Sequence, residues 1–213
     1  MHKIKKLPYG RMESKMECTK KIVLGSASPR RRELLAQIGL DFTVVTSDCE
    51  EKVTSTVPAK VVQELSLMKA IDVFDKAYDP SEVLVIGADT IVALENEILG
   101  KPHSKENAIS MLNHLQGHIH QVYTSVSFVW EETGQLMTHT FYEKTDVEVL
   151  PMTEQEILYY VGLDTCMDKA GAYGIQNEFA CFVKGIHGDY NNVVGLPVGR
   201  VYQELQKLSL LKL

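Results

Sequence analysis

The chain has 213 residues, 45% of them hydrophobic and 23% charged, with a formal net charge of −6. That length and composition fit one generous domain whose core needs no metal or disulfide staple. A net negative chain is poorly suited to gripping a nucleic-acid backbone, which needs clustered cations, whereas a small anionic ligand needs only a few. Cys18, Cys49, Cys166 and Cys181 lie far apart without a CxxC pair, which reads as a reducing compartment. No apolar run approaches the ~20 residues that span a bilayer. The expectation is a cytoplasmic protein that binds neither nucleic acid nor membrane.

Residues 1–21 are lysine-rich and polar, without the apolar h-region of a secretion signal, and read as a basic, disordered tail. A single domain is expected over 22–213. Ile22–Leu24 is a short apolar strand that stops at Gly25-Ser26-Ala27-Ser28. Pro29 to Ile38 follows as a helix, with Ser28 as its N-cap, Pro29 in its first position and Gly39 at its C-terminal end. Phe42–Thr46 is a second strand, and Pro58–Phe74 a helix with Val61, Leu65 and Met68 on one stripe. Val83–Ile86 reads as a buried strand ending at Gly87-Ala88-Asp89-Thr90, after which Ile91–Leu94 resumes the strand pattern. Ser104–Leu115 is helical and is closed by Gly117. Val122–Trp130 and Leu136–Val149 form a long hairpin around Glu131-Glu132-Thr133-Gly134. Thr153 and Glu156 make a capping box for a helix reaching Val161, Phe179–Ile186 is strand-like, and Pro197–Leu208 is a final helix. The fold class is α/β with a mixed sheet.

Four constellations could carry chemistry. In Gly25 to Arg31, small residues let a ligand approach the backbone, and the following helix start offers free N–H groups to an anion. Arg30 and Arg31 oppose the helix dipole there, and a bound phosphate would give them a reason; a solvated charged helix start fits the same residues. Asp89, straight after a buried strand, falls at the sheet edge where α/β proteins bind ligands. It could hold Mg²⁺ or Mn²⁺, or take a proton from water, or simply close a turn on its own backbone. Glu50 and Glu51 follow the Phe42–Thr46 strand, and either could complete a cation site beside Asp89. Lys69 and Lys101 are ordinary surface lysines unless both converge on the pocket of Arg30.

The third constellation, Asp168 to Gln176, has small residues and two glycines that suit close passage of a ligand. Gln176 adds an amide that can donate and accept, as reading a base edge requires. The fourth, Gly188 to Pro197, is a polar turn, a short apolar strand and a helix start, and names no reaction. His118 and His120 lack a third zinc ligand. No GxxxxGK[ST] string is present, which excludes a P-loop.

Taken in order, Ser26-Ala27-Ser28-Pro29-Arg30-Arg31, Gly87-Ala88-Asp89-Thr90, Lys101-Pro102, Asp168 to Gln176 and Val193 to Pro197 resemble the Maf proteins, from about Ile22 to about Leu208. The resemblance implies the fold of the inosine-triphosphate pyrophosphatases, an elongated mixed β-sheet flanked by helices with a central cleft. It implies hydrolysis of a nucleoside triphosphate to monophosphate and pyrophosphate with a divalent cation, Mg²⁺ or Mn²⁺. Asp89 then matches the acid-base residue, and Glu51 with Asp89 the metal ligands. Ser26, Arg30, Arg31, Lys69 and Lys101 match substrate-binding positions, and Arg30, Thr90 and Gln176 match positions of base selectivity. The string Asp168 to Gln176 resembles the subtype acting on dTTP and UTP, and a homodimer is usual for the family. A 7-methyl-GTP-directed subtype and a non-catalytic nucleotide-binding regulator of cell division are the alternatives. One departure is Gly100, which stands where an acidic residue is common.

Overall fold

The computed structural model describes residues 16–77 and 79–212. Of the tail expected over 1–21, residues 1–15 lie outside the described residues. Glu17–Cys18 instead form a short strand, β1, and Lys21–Gly25 form β2. Ordered chain therefore starts before residue 22, because β1 pairs antiparallel with a strand at the far end of the chain, and Met16 and Cys18 pack on the core.

The helix α1 spans Pro29–Gln37, β3 is Phe42–Val44, and α2 is Pro58–Asp75. Ser28 sits at the N-cap position of α1, yet its side chain makes no capping bond. Ser26 serves the entry turn instead, its Oγ accepting from the Ser28 N–H at 3.2 Å. Gly39 closes α1 with a φ of +76°, the conformation that glycine adopts without Cβ strain.

Val83–Leu94 is one unbroken strand, β4, rather than two strands around a turn. Its pairing with β6 (Ile119–Glu132) runs in register from Leu84↔Trp130 to Ala93↔Gln121. The small residues Gly87 and Ala88 mark a close helix contact, not a turn. A Cβ on Gly87 would lie 2.6 Å from the Ser66 carbonyl and 2.7 Å from the Ala70 Cβ of α2. Asp89 is consequently mid-strand, not at a strand end.

A short strand β5 (Glu97–Leu99) turns back on β4, and α3 spans Lys105–Leu115, capped by the Ser104 side chain. The hairpin partner of β6 is β7 (Gln135–Val149), and the loop shrinks to Thr133 and Gly134, both at positive φ, as a tight two-residue turn demands. Helix α4 (Glu154–Gly162) carries the expected Thr153–Glu156 capping box. The strand expected over Phe179–Ile186 is half replaced. Glu178–Phe182 is a 3-10 turn that buries Phe179 against Tyr160 and Tyr173, and only Val183–His187 forms a strand, β8. The apolar stretch after Asn191 is likewise no strand. Tyr190–Val194 is a helical turn, α5, capped by the Asp189 side chain and closed by Gly195 at φ +127°. Helix α6 (Val198–Lys207) and β9 (Leu211–Lys212, the partner of β1) end the described chain.

The main sheet has seven strands, ordered β3-β2-β4-β6-β7-β8 with β5 also on β4. β2 is parallel to β3 and β4, and the remaining pairs are antiparallel, which is the mixed sheet expected. Strand alternation separates two faces. Ile22, Leu24, Leu84, Ile86 and Ala88 join the large core, while Val23 and Val85 meet Ala70, Val73 and Phe74 of α2. No helix among the described residues is long and apolar enough to cross a membrane.

On α6, Glu204 is sealed to 5% exposure beneath its own hydrogen-bond partners, His139 Nε2 at 3.0 Å, Arg200 Nε at 2.6 Å and Lys207 Nζ at 2.9 Å. Burial pushes its carboxyl up, but the hydrogen bonds from Lys207, Arg200 and His139 outweigh that and hold it at about 2. A folded value below the unfolded ~4.3 gives stability that is full above that pH and lost as pH falls toward 2. Urea titrations should therefore show Glu204→Gln less stable than wild type at pH 7, with the gap closing between about pH 5 and pH 2.

Candidate active site

The site begins where two parallel neighbours part company. β2 ends at Gly25, opposite Gly87, whereas β4 runs on and is next paired on that side by β5 at Val92. Between these points one edge of β4 is open, and α1 starts beside it. Such a divergence at the carboxyl end of a parallel strand leaves a crevice. The crevice is a cleft of about 920 Å³, and Ser26, Arg30, Arg31, Glu51, Lys69, Asp89, Thr90, Lys101 and Gln176 all line it.

Arg31 reaches back from α1 across the open edge. Its Nη1 donates to the Ala88 carbonyl (2.9 Å) and to Ser26 Oγ (3.2 Å), its Nη2 to Thr90 Oγ1 (2.9 Å) and its Nε to the Gly195 carbonyl (2.8 Å). Four of the five N–H groups of a guanidinium are thus directed at protein. Arg31 is a strut first, with little left for a phosphate. Burial lowers its pKa and Asp89 works against that, but a guanidinium stays charged throughout the range in which proteins fold. Among the described residues Arg30 is held by Asp168 alone, at 3.2 Å on the exposed rim, so most of its donors remain open to a ligand. Burial raises the Asp168 carboxyl, yet Lys169 and Arg30 together bring it below the usual range.

Alternation along β4 sends Asp89 to the α2 side and Thr90 to the other. On the α2 side, Lys69 Nζ lies 2.5 Å from Asp89 Oδ1 and 2.7 Å from Glu51 Oε1. Burial pushes the Lys69 ammonium down, but the two carboxylates overcome it and the net shift is upward. The lysine is placed by the turn before it, where Ser66 Oγ bonds Ser125 Oγ and Ser127 Oγ, each at 2.8 Å, and the Ser66 carbonyl rests on Gly87. Glu50 is not in the cleft and pairs with Lys52.

Among the described residues no cluster of three or more His, Cys, Asp or Glu could hold a metal. Asp89 and Glu51 nevertheless converge on one cationic point. Two carboxylates with phosphate oxygens and water suit the octahedral preference of Mg²⁺, so the donor set fits a hard divalent ion arriving with a polyphosphate.

The opposite wall is the segment Asp168 to Gln176. Gly171 N–H donates to the Gly100 carbonyl at 3.0 Å, and at φ +67° its missing side chain leaves room for Val92, 3.0 Å from where a Cβ would stand. Gly174 N–H donates to Tyr160 Oη at 3.2 Å. His120, fully buried, places Nε2 2.7 Å from Tyr173 Oη, and burial lowers it to about 4, with Asp146 pulling the other way. It is a neutral brace for this wall, not a zinc ligand. Gln176 is exposed at the rim, and Lys101 has no ion-pair partner among the described residues. Sequence reasoning missed Ser66 and Thr124, and it singled out the segment that holds Asn192 without giving that residue a role. Hydroxyls and amides in a strand or helix give no local sign of which distant group they will meet.

A family model described as Maf-like protein matches residues 21–208. The chain belongs to the Maf family. A dTTP/UTP pyrophosphatase of Agathobacter rectalis is 53% identical over 199 residues, covering 88% of this chain and 97% of that one. Those of Lachnoclostridium phytofermentans and Bacillus cereus (strain G9842) are 46% and 44% identical, covering 89% and 90% of this chain and 95% and 97% of theirs. In this Maf protein the matched region begins at β2 and ends after α6, so it contains every element that forms the cleft.

The α2–β4 contact generates a prediction. Gly87→Ala forces a methyl into the Ser66 backbone and should cost about 1–3 kcal/mol, the usual range for overpacking. Chemical denaturation measures that cost.

Proposed function

We propose that this chain is a nucleoside-triphosphate pyrophosphatase that converts dTTP and UTP to the monophosphate and pyrophosphate, with help from a divalent cation. Its Maf membership and its likeness to dTTP/UTP pyrophosphatases over most of both chains support the substrate class. The observation that carries the chemistry is the Lys69 ammonium shared by Asp89 and Glu51 inside a cleft with Arg30 and Lys101 on its other walls.

Water attacks the α-phosphorus in line, the bond to the bridging oxygen breaks, and pyrophosphate leaves. Asp89 Oδ1 is held by Lys69, which leaves Oδ2 to orient the water and take its proton. Lys69 has a second role once the triphosphate arrives, since its ammonium lines the same cleft as Arg30 and Lys101 and can stabilise the developing charge. Arg30 and Lys101 have donors to spare and hold the phosphates, whereas Arg31 keeps α1 and the edge of β4 in place for them. Asp89 and Glu51 would hold Mg²⁺ or Mn²⁺, whose chemistry here is neutralisation of phosphate charge and support of the leaving group. Four unpaired thiols support a reducing, cytoplasmic setting, and a homodimer is the assembly proposed from the family resemblance.

A panel of nucleotides with Mg²⁺ or Mn²⁺, read by pyrophosphate release, tests the reading. Turnover of dTTP and UTP above the rest is expected. Preference for 7-methyl-GTP would move the chain to the other subtype, and silence across the panel would favour a binding regulator. In the active protein, Asp89→Asn should lower turnover by at least ~10²-fold with the fold intact by circular dichroism. Near-normal rates would remove Asp89 from the chemistry.

A further inference from the structure

Thr90 lies across the open edge from Asp89, on the α1 side of the sheet, and is one of the residues that line the cleft. Directly opposite it in the β4–β6 register stands Thr124, fully buried, with the two Oγ1 atoms 2.9 Å apart. Distance alone leaves the donor open, but a count of hydrogens does not. Thr124 Oγ1 is 2.8 Å from the backbone carbonyl of Asn192, which can only accept, so Thr124's single hydroxyl hydrogen goes there. Thr124 Oγ1 must then accept from Thr90, and this uses Thr90's only hydrogen. Arg31 Nη2, which can only donate, occupies one Thr90 lone pair at 2.9 Å. A single lone pair remains.

The Asn192 side chain anchors that backbone carbonyl in place. It is fully buried, its Oδ1 accepts from the Thr124 N–H (3.0 Å), and its Nδ2 donates to the Val122 carbonyl (3.0 Å) and to Thr145 Oγ1 (2.9 Å).

From this chain of hydrogen bonds we infer that Thr124 and Asn192 are specificity-positioning residues: they make Thr90 an obligate acceptor, so the cleft selects a nucleotide that offers Thr90 a hydrogen-bond donor. The inference rests on the pyrophosphatase reading above. On a uracil or thymine nucleotide the available donors are the imide N3–H and the sugar hydroxyls. Cytosine presents a lone pair at N3 and would meet a lone pair on Thr90, which is a mismatch that a hydroxyl free to rotate could avoid.

The test compares kcat/KM for UTP, CTP and 3′-deoxy-UTP in wild type, Thr124→Val and Thr124→Ser. Valine removes the acceptor for Thr90's hydrogen with little change of volume, while serine retains it. If the imide is read, Thr124→Val should narrow the preference for UTP over CTP by about fivefold or more. If a sugar hydroxyl is read instead, it can accept as well as donate, so Thr124→Val leaves both the UTP/CTP ratio and the 3′-deoxy-UTP penalty as in wild type, and the inference is overturned. Thr124→Ser should stay within about twofold of wild type. A merely structural role would lower the melting temperature and all three rates together, leaving the ratios alone. Unchanged ratios in a folded Thr124→Val overturn the inference. Should that variant not fold, Thr90→Val must abolish the same preference, and its persistence overturns the inference equally. Wild-type protein inactive on UTP and dTTP would instead sink the pyrophosphatase reading.

Discussion

The site depends on how closely α2 can approach β4. At Gly87 the absence of a side chain lets the helix backbone touch the strand, and Ser66 and Ala70 keep the contact small on the helix side. Three buried serines tie the same turn to β6. Lys69 follows one position before Ala70 and Asp89 two positions after Gly87, so both inherit their separation from this packing. A charged pair brought to 2.5 Å in a half-buried position tolerates little slack, and a helix one methyl farther out would open it.

The second constraint is the difference in length between β2 and β4. Because β2 stops at Gly25, the backbone of β4 beyond Gly87 needs partners from elsewhere, and Arg31 supplies one by capping the Ala88 carbonyl. The two cations of α1's first turn are therefore unequal. Arg31 repays its unfavourable position on the helix dipole through four bonds to protein and the nearby Asp89 charge, while Arg30 is left at the rim for a ligand. The open edge also explains how neighbouring residues of one strand serve different parts of a ligand. Asp89 and Thr90 emerge on opposite sides of it, one beside the Lys69 ammonium and the other between the Thr124 hydroxyl and the Arg31 guanidinium.

Much of this arrangement is written in local sequence patterns. Apolar periodicity located α1, α2, α3, α4 and α6 and the long hairpin, because those signals are local. Ordered motifs resembling one family placed nine site residues, and the fold brings all nine to one cleft. Local rules misread three places. Gly87-Ala88 looked like a turn but is a helix contact inside a continuous strand, Phe179 sits in a 3-10 turn to reach an aromatic cluster, and Val193–Val194 belong to a helical turn. In each case a distant partner outweighed local propensity.

The roles within the cleft, by contrast, come from long-range packing. That Arg31 is a strut and Arg30 is not follows from where Ala88, Thr90 and Gly195 end up, up to 164 positions away in the chain. That Lys69 joins Asp89 to Glu51, and that Asn192 sets the direction of Thr90's hydroxyl, are likewise facts about groups far apart in sequence. The sequence fixes which donors and acceptors exist, but a hydrogen bond needs two partners within about 3 Å, and that distance is a property of the fold.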